Sequence, residues 1–127
     1  MEERSVLVVD DDASIQSVVQ DALSDGGFAS SVASSGEEAA SLLNTNKYDV
    51  LIVDISFGIE HVEGWAIARR ARAFNQAVPV IYITGGNATE WAFQGVPNSI
   101  LLKKPFAPAQ LLMALSQLLP GSAAENH

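Results

Sequence analysis

Short, uninterrupted apolar runs recur along the chain, and most are followed by apolar residues spaced as one face of a helix. The runs are Val6-Leu-Val-Val9, a weaker one from Phe28 to Ala33, Val50-Leu-Ile-Val53, Val80-Ile-Tyr-Ile83 and Ile100-Leu-Leu102. Continuous rather than alternating apolar residues suit strands covered on both faces. Behind the first run, Ile15, Val18, Val19, Ala22 and Leu23 mark a helical stripe that Asp12 caps and Gly26-Gly27 stops. Ser35 and Glu38 form a capping box for a second helix through Ala39, Leu42 and Leu43. A third runs from about Glu63 through Ile67, Ala71 and Phe74, with Trp65 and Phe74 anchoring it to the sheet. Leu111, Leu112, Leu115, Leu118 and Leu119 make the last one. Between them, residues 87–97 hold a weak pattern broken by Gly95 and Pro97, with one short fourth helix around Thr89 to Phe93.

Five strands alternating with five helices predict an α/β fold, a doubly wound parallel sheet with helices on both faces. A length of 127 residues suffices for one core. Residues 1–120 are read as the domain and 121–127 as a frayed tail, with no internal repeat or linker. With no output domain read after Leu119, the expectation is either a protein that acts by itself through surface binding or a piece of a larger chain, and Met1 with the short tail favours the first. The balance of 15 Asp+Glu against 7 Lys+Arg leaves a net charge of −8, which repels nucleic-acid phosphates and anionic lipid headgroups. Direct nucleic-acid binding and membrane insertion are therefore not expected. The absence of cysteine excludes disulfides, thiolate zinc sites and thiol nucleophiles. With no signal-peptide pattern and no membrane-length apolar stretch, the expected location is the cytoplasm.

In sheets of this kind the functional crevice lies beyond the carboxyl ends of the strands, so the residue after each apolar run matters most. Val9 is followed by Asp10-Asp11-Asp12, Val53 by Asp54, Ile83 by Thr84, and Leu102 by Lys103-Lys104-Pro105. The crevice thus gathers several carboxylates, a hydroxyl and an ammonium. Clustered carboxylates repel one another, so without a cation at least one has a raised pKa. Asp12 is read as a helix cap, Arg69, Arg70 and Arg72 as a solvated helix face, and His61 and His127 as too few for a metal site. Trp91 fits a partner contact as well as it fits a core.

These residues resemble the receiver domain of two-component response regulators, the chemotaxis-type, flavodoxin-like fold with strand order 2-1-3-4-5. The resemblance spans about residues 5 to 119. It rests on the Val-Val-Asp-Asp end of the first strand, a lone aspartate ending the third, a threonine ending the fourth, and Lys104-Pro105-Phe106. The spacings are 43 from Asp11 to Asp54, 30 from Asp54 to Thr84 and 20 from Thr84 to Lys104. It implies Mg²⁺ held by Asp11, Asp54 and the Ser56 carbonyl, with Asp10 acting through a bound water; hard oxygen ligands suit that cation. It further implies that Asp54 accepts a phosphoryl group from a histidine kinase or histidine phosphotransfer protein, while Thr84 and Lys104 take up the transferred charge. The modified state would switch binding to a downstream protein target, and a weak homodimer is compatible with this. No dedicated enzyme activity is implied beyond loss of the protein's own phosphoryl group.

Several features depart from the family pattern. Phe57-Gly58 replaces the usual Met-Pro, and Gly64 comes about two residues late, which lengthens the loop over 57–63 as in some receivers attached to sensor kinases. The Thr84-to-Lys104 interval is slightly short, in keeping with a shrunken fourth helix. Leu101 stands where the family often has Tyr or Phe, which moves the expected readout toward residues 56–64. Ser56 and Gly86 are small and leave a path for water open. A rival reading is a haloacid-dehalogenase-type phosphatase with Asp10 as nucleophile and Asp12 as general acid, although Ala13-Ser14 and the lack of a late acidic pair disfavour it. A flavodoxin would need a phosphate cradle where Asp10-Asp11-Asp12 stand. A receiver-shaped interaction module that never takes phosphate is the third alternative.

Overall fold

A computed structural model describes residues 4–55, 62–74, 77–85, 98–104 and 106–119. The chain runs β1 (Ser5–Val9), α1 (Ala13–Asp25), β2 (Ala29–Ala33), α2 (Gly36–Thr45), β3 (Val50–Asp54), α3 (Val62–Phe74), β4 (Val80–Thr84), β5 (Ser99–Lys103) and α4 (Pro108–Leu118). The five strands form one parallel sheet in the order β2-β1-β3-β4-β5, the expected arrangement. The expected helix around Thr89 to Phe93, residues 57–61 of the long loop, Trp91 and the tail lie outside the described residues. α3 begins at Val62, so the end of the expected loop is already helical.

Alternation along the strands builds two cores. Leu7, Val9, Leu51, Val53, Val80 and Tyr82 meet Ala39 of α2 and Ile67, Ala68 and Ala71 of α3. Val6, Val8, Val50, Ile52, Ile81 and Ile83 meet α1 and α4 through Val19, Ala22, Leu23, Leu111, Ala114 and Leu115. β3 and β4 are buried along their whole length, which is why they carry no exposed polar alternate before their last residues, Asp54 and Thr84. Each such Val, Leu or Ile contributes roughly 1.5–3 kcal/mol by burial.

Local signals set the helix ends. The Asp12 carboxylate accepts from the Ser14 N–H at 2.9 Å and starts α1. Gly26 ends it and Gly27 takes φ +87°, a conformation that glycine adopts without cost. Ser35 accepts from the Glu38 N–H at 3.1 Å, but the Glu38 carboxylate accepts from Ser34 at 2.7 Å, one residue earlier than a full capping box would place it.

Three side chains depart from expectation. Val18 is 45% exposed, because Val19, Ala22 and Leu23 complete the buried stripe and Val18 sits one position round the helix from it. Phe74 is 54% exposed rather than an anchor; the contact of α3 with the sheet is filled by Ile67, Ala68 and Ala71, and the Arg70 guanidinium lies 6.0 Å from the Phe74 ring centroid. Arg72 is not a solvated charge: its Nε donates to the Val78 carbonyl at 2.6 Å and its Nη2 to the Asn98 carbonyl at 3.3 Å.

Candidate functional site

The parallel register aligns the strand ends. Val9 lies beside Ala33 and Val53, Asp54 beside Ile83, and Thr84 beside Lys103, so the residues that follow the apolar runs come to one edge of the sheet. Two backbone bonds tie this edge together, from the Ile55 N–H to the Ile83 carbonyl at 2.9 Å and from the Lys104 N–H to the Thr84 carbonyl at 2.8 Å.

Asp10 is 1% exposed. Its N–H donates to the Ala33 carbonyl at 3.1 Å, and its own carbonyl accepts from the Gln16 side-chain amide, which also reaches Ser34 Oγ at 3.0 Å. Its Oδ1 accepts from the Asp12 N–H at 2.9 Å, whereas its Oδ2 is buried with no hydrogen-bond partner. Burial pushes this carboxyl up from 3.8 to about 6, and the neighbouring Asp54 pushes in the same direction, while the Asp12 N–H and the Lys104 charge pull it down.

Asp54 is 3% exposed at the end of β3, and Lys104 Nζ stands 2.8 Å from its Oδ2. Burial works against the Lys104 ammonium, but the hydrogen bond to Asp54 and the charges of Asp54, Asp10 and Asp12 outweigh it and hold its pKa above the ordinary lysine value. Thr84, 4% exposed, ends the adjacent strand. Asp10, Asp54, Thr84 and Lys104 are thus assembled at one edge. Asp11 and Asp12 are exposed, and Ser56 lies outside the described residues. Gln16 was not singled out by the sequence; a glutamine in the first turns of a helix looks like any solvated residue, and only the return of β2 beside β1 gives it Asp10 and Ser34 to hold.

Among the described residues, no three or more His, Asp or Glu side chains converge in an arrangement that holds a metal ion. Two hard-oxygen donors, Asp10 and Asp54, face the same edge. An ionised carboxylate paired with an ammonium and flanked by a hydroxyl can act as a nucleophile toward an electrophile whose developing negative charge the ammonium and hydroxyl then take up.

A sequence profile described as the response regulator receiver domain matches residues 6–116. The transcriptional regulatory protein CusR of Escherichia coli K12 is 31% identical over 121 residues, covering 94% of this chain and 52% of CusR. The chain therefore spans about half the length of the curated relatives it matches. A response regulator receiver protein from Sinorhizobium medicae superposes with a TM-score of 0.88 at 40% identity, over 94% of this chain and 97% of that one. The receiver domain of the sensor histidine kinase PA1611 from Pseudomonas aeruginosa, which holds a magnesium ion in its active-site cleft, shares the fold with a TM-score of 0.80 at 24% identity, over 92% of this chain and 98% of that one.

Proposed function

Because the chain belongs to the response regulator receiver domain family of two-component signalling, we propose that it accepts a phosphoryl group on Asp54, assisted by Lys104 and Thr84, with Mg²⁺ as cofactor. The observation that carries this reading is the 2.8 Å pair between Lys104 Nζ and Asp54 Oδ2 beside a second buried carboxylate, Asp10. An Asp54 oxygen attacks phosphorus, the bond from phosphorus to the donor nitrogen of a phosphohistidine breaks, and an acyl phosphate forms. In the loose transition state negative charge spreads over the three peripheral oxygens. The Lys104 ammonium, which neutralises Asp54 at rest, follows that charge outward, and the Thr84 hydroxyl donates to another of the oxygens.

The donor set fits a hard divalent cation: Asp10 Oδ2 is buried without a partner, and Asp10 and Asp54 leave one negative charge unmatched by Lys104. Asp10, Asp11, Asp54 and the Ser56 carbonyl are the proposed ligands, and the magnesium ion in the P. aeruginosa receiver supports the choice. When bound, the cation neutralises the carboxylates and the phosphoryl oxygens together. The phosphodonor in this reading is a histidine kinase or histidine phosphotransfer protein in the cytoplasm, and the modified state is read by a protein target. Among the described residues no helix is long and apolar enough to cross a membrane.

The Asp12 carboxylate is engaged in capping α1, which does not favour its use as a phosphatase general acid. Intact mass after incubation with Mg²⁺ and acetyl phosphate tests the reading. One phosphoryl group mapping to Asp54, and lost in Asp54→Asn, is the expected result. No modification selects the interaction module that never takes phosphate, and turnover through Asp10 selects the phosphatase.

A further inference from the structure

Arg72 connects the two strands that end at the site. From α3 its Nε donates to the carbonyl of Val78 at 2.6 Å and its Nη2 to the carbonyl of Asn98 at 3.3 Å. Val78 lies two residues before β4, and Asn98 immediately precedes β5. The opposite ends of the same two strands are Thr84 and Lys103, followed by Lys104. Between the ends, Tyr82 and Leu101 stand side by side in register, with Tyr82 0% exposed. β4 and β5 are thus joined at their starts by one guanidinium and at their ends by the bond from the Lys104 N–H to the Thr84 carbonyl.

One further observation marks the junction at the strand starts as built. Asn98 takes φ 58°, a left-handed backbone that non-glycine residues seldom adopt and asparagine tolerates best, and its carbonyl is one of the two that Arg72 holds. A guanidinium presents several donors in a fixed planar fork, so it can set the separation of two carbonyls; a lysine ammonium on its flexible stem cannot.

We propose that Arg72 is a positioning residue for phosphoryl acceptance: by holding the starts of β4 and β5 on one guanidinium, it sets the stagger of the two strands and hence where Thr84 and Lys104 stand about Asp54. The proposal rests on Asp54 being the phosphoacceptor. A hydrogen-bonded pair of five-residue strands transmits a shift at one end to the other, and misplacement of a reacting geometry by about 1 Å can cost up to roughly a hundredfold in rate. Because the same two strands carry the Arg72 bonds at their starts and Thr84 and Lys104 at their ends, a change of stagger on occupation of Asp54 is expected to reach the Arg72 bonds as well.

The test uses the full chain with Arg72→Met and Arg72→Lys, compared with Phe74→Ala, which removes an exposed side chain from the same helix end. Modification of Asp54 by acetyl phosphate is timed at a temperature where melting curves show each variant folded. Arg72→Met is expected to be slowed about five- to tenfold, Arg72→Lys to be slowed less, and Phe74→Ala to match the parent. In the parent protein the ¹H–¹⁵N signal of Arg72 Nε, which reports its bond to Val78, is expected to move when Mg²⁺ and beryllium fluoride occupy Asp54. A parental rate in Arg72→Met overturns the proposal, as does an Nε signal that stays in place while the Thr84 and Lys104 amides shift. If Arg72→Met does not fold, the Arg72→Lys rate and the Nε signal decide in the same way. Should the parent neither take phosphate nor respond to beryllium fluoride, the phosphoacceptor reading itself fails and takes this proposal with it.

Discussion

Two carboxylates, Asp10 and Asp54, share the buried edge of the sheet with the Lys104 ammonium, so one negative charge is left over when both are ionised. The strain falls on Asp10, whose carboxyl is pushed up to about 6 by burial and by Asp54. In the unfolded chain the same group titrates near 3.8, so between those values the folded state holds a proton that the unfolded chain has released. Stability in the absence of divalent cations therefore falls as pH rises from about 4 through about 6, and the full cost of the ionised carboxylate is present above that window. Asp10→Asn keeps an oxygen for the Asp12 N–H and removes the charge. It is expected to flatten the pH profile over this window and to raise the cation-free melting temperature at pH 7.5 by roughly 3–6 °C for each kcal/mol relieved. Thermal melts with a chelator from pH 4 to 8 check this, and an unchanged profile in the variant would assign the pH dependence to another group.

The β1-to-α1 turn is a short relay in which Asp10 accepts from the Asp12 N–H and Asp12 accepts from the Ser14 N–H. Only the second bond uses the Asp12 side chain. Asp12→Ala should therefore cost about 1 kcal/mol of stability through the lost cap and leave Asp54 competent for phosphate. Denaturant titration gives the first quantity and intact mass the second, and loss of phosphoryl chemistry in a folded Asp12→Ala would revive the phosphatase reading. At the start of β5, Asn98 stands at φ 58°. Glycine takes that conformation freely, so Asn98→Gly is expected to be close to neutral, whereas Asn98→Val should cost about 1–2 kcal/mol. Equal stability of the two variants would show that the backbone relaxes out of the left-handed region when asparagine is removed.

Across the molecule, 15 acidic residues against 7 basic ones make the protein a polyanion whose site adds further negative charge. On the proposed reading, a divalent cation that binds the folded site and not the unfolded chain raises stability. Mg²⁺ at about a hundred times its dissociation constant adds roughly 2.7 kcal/mol by mass action, seen as a rise in melting temperature that a chelator reverses. Sodium at matched ionic strength controls for screening of the general charge. Asp54→Asn should lose most of the Mg²⁺-specific rise, and a rise retained in full would place the cation away from this carboxylate. The CusR relative extends over about twice the aligned length.

The order of strands and helices was legible along the chain because strands buried on both faces must be apolar without a break, as the Val6 to Val9 and Val80 to Ile83 runs are. The candidate site residues were legible for a related reason: parallel strands present their carboxyl ends at one edge, so Asp10, Asp54 and Thr84 could be found by reading one step beyond their runs, and Lys104 two steps beyond the last. The Asp12 cap was equally local. Other features were settled by packing. Three consecutive aspartates have the same side chain, yet Asp10 is buried while Asp11 is exposed, because the register of β1 against β2 and the start of α1 turn them differently. Periodicity located the stripes of α1 and α3 but not their edges, which left Val18 and Phe74 on the outside: how far round or along a helix burial extends depends on the surface it meets. Arg72 reads as one of three surface arginines and becomes a joint between β4 and β5 only because α3 ends beside the starts of both strands. A carbonyl 26 residues further along the chain leaves no mark in the sequence around the arginine that holds it, so contacts of this kind exist only in the folded structure.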